Sequence, residues 1–175
     1  HGKTIIAQHI NCQFKSGEIT ILQGKNGAGK STLSMTLAGL LHQQGGQIVA
    51  SPELCKGITE TDPQKWTSKQ LSSRIAFVFQ NPEHQFVKNT VLEEVMVGLF
   101  NTSEDDSKAM YNAHALLQRF GLDQYADANP YTLSGGEKRR LTVAAALASA
   151  PEVLILDEPT FGQDRSTWLE IVMLI

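Results

Sequence analysis

The eight residues from Gly24 to Ser31 read GKNGAGKS and fit the pattern G-x-x-x-x-G-K-[ST], a loop that wraps nucleotide phosphates. The chemistry needs these residue types at this spacing. Gly24, Gly27 and Gly29 let the chain turn tightly and bring backbone N–H groups against phosphate oxygens, where a side chain would obstruct them. Lys30 supplies a positive charge for the β- and γ-phosphates, and the Ser31 hydroxyl suits Mg²⁺. A second oxygen-rich stretch, Val153 to Glu158 (VLILDE), is an apolar run that ends in two carboxylates. Asp157 suits the magnesium shell, and Glu158 suits a general base that polarises an attacking water. A third, Leu133 to Glu137 (LSGGE), precedes a predicted helix. Ser134 and the N–H groups near Gly135 and Gly136 would form a second anion site at that helix N-terminus, clear of bulky side chains.

These residues need elements to carry them. Glu18 to Gln23 is a short β-rich run and Ser31 to Leu41 reads as a helix, so the phosphate loop is expected between strand and helix. Lys3 to Phe14 looks like an earlier strand region, and Gln47 to Ala50 like a short strand. Ser51 to Gln70 is polar and irregular, broken by Pro52, Gly57 and Pro63. Arg74 to Phe79 is a strand that delivers Gln80 to its end. Thr90 to Phe100 reads as a helix with a Thr90/Glu93 capping box. Ser107 to Phe120 is a second helix, with Met110, Ala113, Leu117 and Phe120 on one stripe and Gly121 to end it. A further helix runs to Ala150, and Glu152 to Leu156 has the texture of a fully buried strand. The carboxylates then lie at the C-terminal edge of an α/β sheet, where ligands bind.

With 175 residues the chain suffices for one domain with a core and a small inserted subdomain. The net charge of −3 argues against a general nucleic-acid binder. Lys138, Arg139 and Arg140 read as a solvated helix turn rather than a nucleic-acid patch. Cys12 and Cys55 are far apart and read as free thiols. No apolar run reaches the 18 residues of a membrane span, and no signal peptide is visible. The start at His1 and the stop within an apolar run suggest a fragment cut at both ends.

Taken in order, these motifs resemble those of an ABC transporter nucleotide-binding domain. The resemblance runs from His1 to Ile175. Gly24 to Thr32 matches the Walker A loop, which adds Asn26, Ala28 and Thr32 to the nucleotide-binding positions. Gln80 matches the Q-loop glutamine that touches Mg²⁺, and Leu133 to Glu137 matches the signature. Asp157 and Glu158 match Walker B and the catalytic glutamate, and Phe161 to Asp164 occupies the D-loop position. A narrower resemblance, carried by FQNPEHQF, LSGGEKRR and PTFGQD, is to the ATPases of energy-coupling-factor (ECF) importers, which handle vitamins and transition-metal ions. Glu137 stands where the family usually has glutamine, and Gln163 where most D-loops carry leucine. The family's switch histidine would fall after the next strand, and its adenine-stacking aromatic near His1 or before it.

The resemblance implies a P-loop NTPase with a RecA-like core over 1–80 and 141–175, and a helical subdomain with the signature over 81–140. It implies ATP and Mg²⁺ as cofactors, with Lys30, Gln80 and Glu158 in the catalytic roles. The expected partners are a second ABC ATPase domain, which would supply its Ser134, and an integral membrane subunit, with no nucleic acid. The expected place is the cytoplasmic face of the membrane. Exposed Phe86, Val87 and Phe100 would help dock the membrane subunit. The rival class is a soluble ABC ATPase of DNA repair or translation, although the coiled-coil insertions or basic linkers of such proteins are missing. A nucleotide-occupied module without turnover is a third option, opposed by the intact Lys30, Asp157 and Glu158.

Overall fold

A computed structural model of the chain describes residues 5–100, 105–159, 169 and 173. Its elements are α1 (Lys30–Leu37), α2 (Ser68–Ser72), β1 (Ile75–Val78), α3 (Val91–Phe100), α4 (Asp106–Arg119), α5 (Gly135–Ala148) and β2 (Val153–Leu156). The two strands pair in parallel, with Ile75 opposite Val153 and Val78 opposite Leu156. Parallel pairing sends both C-terminal ends to one edge, which is what a ligand site built from strand ends requires.

Alternation along the strands puts the pair between two apolar clusters. Ala76 and Val78, with Leu154 and Leu156, face a cluster built from α3, α4 and α5. Ile75 and Phe77, with Val153 and Ile155, face a smaller cluster around Ala38, Cys55 and Trp66. Within the larger cluster, α3 packs on both α4 and α5. Gly98 permits the α3–α5 approach: a Cβ there would lie 2.8 Å from the Ala148 Cβ and 3.0 Å from the Ser149 nitrogen.

The helix boundaries follow from their caps. In α4 the Gly121 N–H reaches Gln118 O and the Leu122 N–H reaches Leu117 O, with Gly121 at φ 64. This is the left-handed glycine stop expected from the sequence. The same device at Gly39 (φ 74) ends α1 at Leu37, short of Leu41, with the Leu40 N–H on Met35 O. The Thr90 hydroxyl accepts the Glu93 N–H at the start of α3.

Several expectations change. Of the expected α4 stripe, Ala113, Leu117 and Phe120 are buried, but Met110 is exposed and Ala109 takes the inward place beside it. No strand forms over 18–23: Ile19 and Ile21 are exposed, and among the described residues no strand lies beside them to complete a ladder. Residues 5–14 and 47–50 also form no strand, although the Ala50 N–H bonds Thr61 O. β2 is half-buried rather than fully buried, since β1 is its one strand neighbour among the described residues. The polar stretch 51–70 holds an order that its composition hides. Asp62 caps a 3₁₀ turn over Pro63–Lys65, and a Thr67/Gln70 capping box starts α2. The Arg74 guanidinium lies over Trp66, 5.8 Å from the ring centre. Cys12 is exposed and Cys55 buried, both as free thiols.

Candidate functional site

The phosphate loop turns on Gly27 (φ 79) and Gly29 (φ 89), conformations that L side chains rarely adopt. Gly29 is also a close approach, since a Cβ there would sit 2.7 Å from the Ile6 Cγ2. It caps α1 without any side-chain hydrogen bond, so the first-turn N–H groups, with Ser31 and Thr32 among them, face outward uncapped by a side chain. The Lys30 ammonium folds back on the loop and donates to Gly24 O at 3.0 Å and Lys25 O at 3.3 Å. The Ala28 N–H closes a turn on Lys25 O around Asn26 and Gly27.

The strand edge carries the other half of the predicted chemistry. The Asp157 N–H donates to Val78 O, extending the ladder one step past β2. Gln80 and Glu158 then emerge side by side, and the Gln80 Nε2 donates to Glu158 Oε2 at 2.7 Å. Glu158 adopts φ 49, a left-handed conformation for a residue other than glycine, and such strain gathers at functional turns. The segment after β1 is folded on itself: the Phe79 N–H donates to Gln85 Oε1, and Asn81 caps the 3₁₀ turn Pro82–His84.

The LSGGE stretch forms the start of α5. Ser134 and Glu137 make a reciprocal capping box, and the Ser134 Oγ also donates to Glu137 Oε2 at 2.7 Å. The Ser134 bonds, with a further bond from the Tyr125 side chain, hold the Glu137 carboxyl below the usual range. Gly135 has open space around it, as an approaching anion would require.

The basic run behaves differently from its sequence reading. Arg139 is 2% exposed, and its Nη1 donates to Phe79 O at 2.7 Å while Nη2 donates to Gln80 O. Burial pulls its guanidinium below the ordinary range, and the charge of Asp157 opposes that. Lys138 is paired with Glu83 at 2.6 Å. The solvated-turn expectation therefore fails at Arg139, and a signal for it existed. Arg139, Thr142, Val143 and Ala146 recur at helical spacing and are all buried. Phe86 is likewise buried, against the expectation, because it packs edge-on against Tyr131 at 5.6 Å. Val87 is exposed as expected; the Phe100 side chain and Phe161 to Asp164 lie outside the described residues. The buried carboxylate of Glu94, which accepts the Val87 and Lys88 N–H groups, was invisible to motif reading.

The structure thus joins Gln80 to Glu158, with Asp157 beside them and Arg139 behind. Among the described residues no side-chain hydrogen bond links this edge to Lys30 or Ser134, each of which bonds within its own turn.

A strand edge with paired glutamine and glutamate, a glycine phosphate loop and a helix capped by LSGGE define a nucleotide-binding cassette. The ABC transporter family profile matches residues 7–161, and the chain belongs to that family. It is 44% identical over 99% of its length to the putative HMP/thiamine import ATP-binding protein YkoD of Bacillus subtilis (strain 168), spanning 30% of that protein. It is 39% identical over 93% of its length to the energy-coupling factor transporter ATP-binding protein EcfA2 of the same organism, spanning 58% of it. Among solved structures it is similar to cbiO1 from Clostridium perfringens, part of the ABC transporter complex cbiONQ. That match has a TM-score of 0.74 and 33% identity, over 94% of this chain and 63% of that one. It also resembles the ATP-binding cassette MJ0796, solved as a dimer in a post-hydrolysis state with ADP and Pi, at TM-score 0.81 and 26% identity over 97% of this chain and 72% of that one. The fold is that of the ABC ATPase cassettes, an α/β P-loop NTPase.

Proposed function

We propose that this chain binds and hydrolyses ATP as the motor of an ECF-type membrane importer for a vitamin or metal ion. The observation that carries the reading is the Gln80–Glu158 pair, set by parallel strands at the edge where a general base for water must stand. Similarity to YkoD, EcfA2 and cbiO1 supports the importer class over a soluble ATPase of DNA repair or translation.

Gly24 and Asn26 to Thr32 would hold the phosphates, with Lys30 released from its loop carbonyls onto phosphate oxygens. Ser31, Gln80 and Asp157 would hold Mg²⁺. The donor set fits that ion, because all three offer oxygen ligands and magnesium is usually bound through few protein groups plus phosphate. When bound, Mg²⁺ neutralises charge on the phosphates. Glu158 accepts the proton of the attacking water, and Gln80 keeps its carboxylate aimed. Ser134, Gly135 and Gly136 would meet the nucleotide of a second cassette, so two such domains would share two ATP molecules. Residues 81–140 would form the helical subdomain, and 1–80 with 141–175 the RecA-like core. An integral membrane subunit is the further partner, placing the protein at the cytoplasmic face. Among the described residues no helix is long and apolar enough to cross a membrane itself.

Calorimetric titration with ATP and Mg²⁺ tests the nucleotide assignment. Lys30→Ala should weaken binding about tenfold or more, roughly 1.4 kcal/mol, because charge-assisted bonds to phosphate are lost. Equal affinity in the two proteins would remove the phosphate loop from the account.

A further inference from the structure

We propose that Arg139 is a positioning residue that fixes Gln80 against Glu158 and locks the 79–86 segment to the start of α5. This rests on the reading of Gln80 as part of the hydrolytic site. Arg139 is almost wholly buried, and its Nη1 and Nη2 hold the consecutive carbonyls of Phe79 and Gln80, sixty and fifty-nine residues away in the chain. Its Nε has no hydrogen-bond partner. Burying a guanidinium is costly, and a buried charge is weak evidence for a purely stabilising role. Stability alone therefore gives little reason for arginine here. Geometry gives a better one: a planar fork spans two successive carbonyls, which a single ammonium cannot do.

With both carbonyls fixed, the Gln80 side chain starts from a set position and reaches Glu158 at 2.7 Å. The rest of the segment is gripped from the same side. Lys138 holds Glu83 at 2.6 Å, and the Tyr131 hydroxyl donates to Phe86 O at 3.4 Å. Ser134, which caps α5, is thereby tied to Gln80, so a shift at this chain's own site would carry to the group that would meet the second cassette's nucleotide.

The test uses the natural full-length protein with Arg139→Met and Arg139→Lys. In hydrogen exchange, amides of 79–86 should open at least tenfold faster in both variants, while those of 106–119 are unchanged. In steady-state phosphate release, kcat should fall to the level of Gln80→Ala and the Mg²⁺ needed for half-maximal turnover should rise, with the KM for ATP within twofold. Adding Gln80→Ala to Arg139→Met should cost nothing further. Unchanged exchange at 79–86, or losses that multiply in the double variant, would overturn the proposal. If Arg139→Met does not fold, Arg139→Lys, which keeps the charge, decides on the same exchange readout. Full turnover in Gln80→Ala would instead overturn the site assignment, leaving the exchange result to judge the tether alone.

Discussion

The Gln80 amide and the Glu158 carboxylate meet at 2.7 Å although seventy-eight residues separate them. Adjacent parallel strands make this contact possible: each residue follows the last ladder pair by two positions, Val78 and Leu156. Gln80→Leu keeps the bulk and removes the donor. We expect kcat to fall tenfold or more with ATP affinity within twofold, because misplacing a reacting group by about 1 Å costs on the order of a hundredfold. Phosphate release at unchanged kcat would show that the contact does not orient Glu158.

Gly98 is a packing glycine. A methyl group there would press on Ala148 and on the backbone at Ser149 and Ala145, none of which is a flexible side-chain end. Gly98→Ala should therefore destabilise the fold by about 1–3 kcal/mol despite its better helix propensity. Urea denaturation measures this, and a midpoint equal to or above that of the unmodified protein would contradict the α3–α5 packing.

Glu94 gives a pH dependence of defined sign. Burial raises its pKa above the ordinary 4.5, opposed by bonds from the Val87 and Lys88 N–H groups and by the Lys88 charge. A raised folded-state pKa means the folded protein binds the proton more tightly. The associated stability is fully present below the unfolded pKa and is lost as pH rises through the folded one. Relative to Glu94→Gln, the unmodified protein should gain stability as pH falls from 7 toward 4.5. Parallel stability curves for the two proteins over that range would refute the assignment.

Local chemistry made much of this legible. The glycine turns at Gly27 and Gly29, the LSGGE cap, the Gly121 stop and the β1 and β2 strands all depend on short-range residue types, and each stands where its sequence pattern puts it. What the sequence hid depends on distant partners. Arg139 looks like surface charge until the Phe79 and Gln80 carbonyls arrive from β1. Phe86 looks like a docking residue until Tyr131 covers it. Glu94 gains its meaning only from two N–H groups in the preceding turn. The run 18–23 failed for the opposite reason: strand propensity without a described neighbouring strand leaves its isoleucines in solvent.

The proposed role of Glu158 is that of the base for water at an ATP site. Glu158→Gln keeps the shape and can still accept the Gln80 hydrogen bond, but it cannot take a proton. The decisive measurement is phosphate release alongside retained nucleotide, in the natural full-length protein with ATP and Mg²⁺. Release should slow about a hundredfold or more, the range of general-base contributions, with ATP remaining bound at the unmodified affinity. Release at the unmodified rate, with ATP bound as before, would show that a group other than Glu158 activates the water.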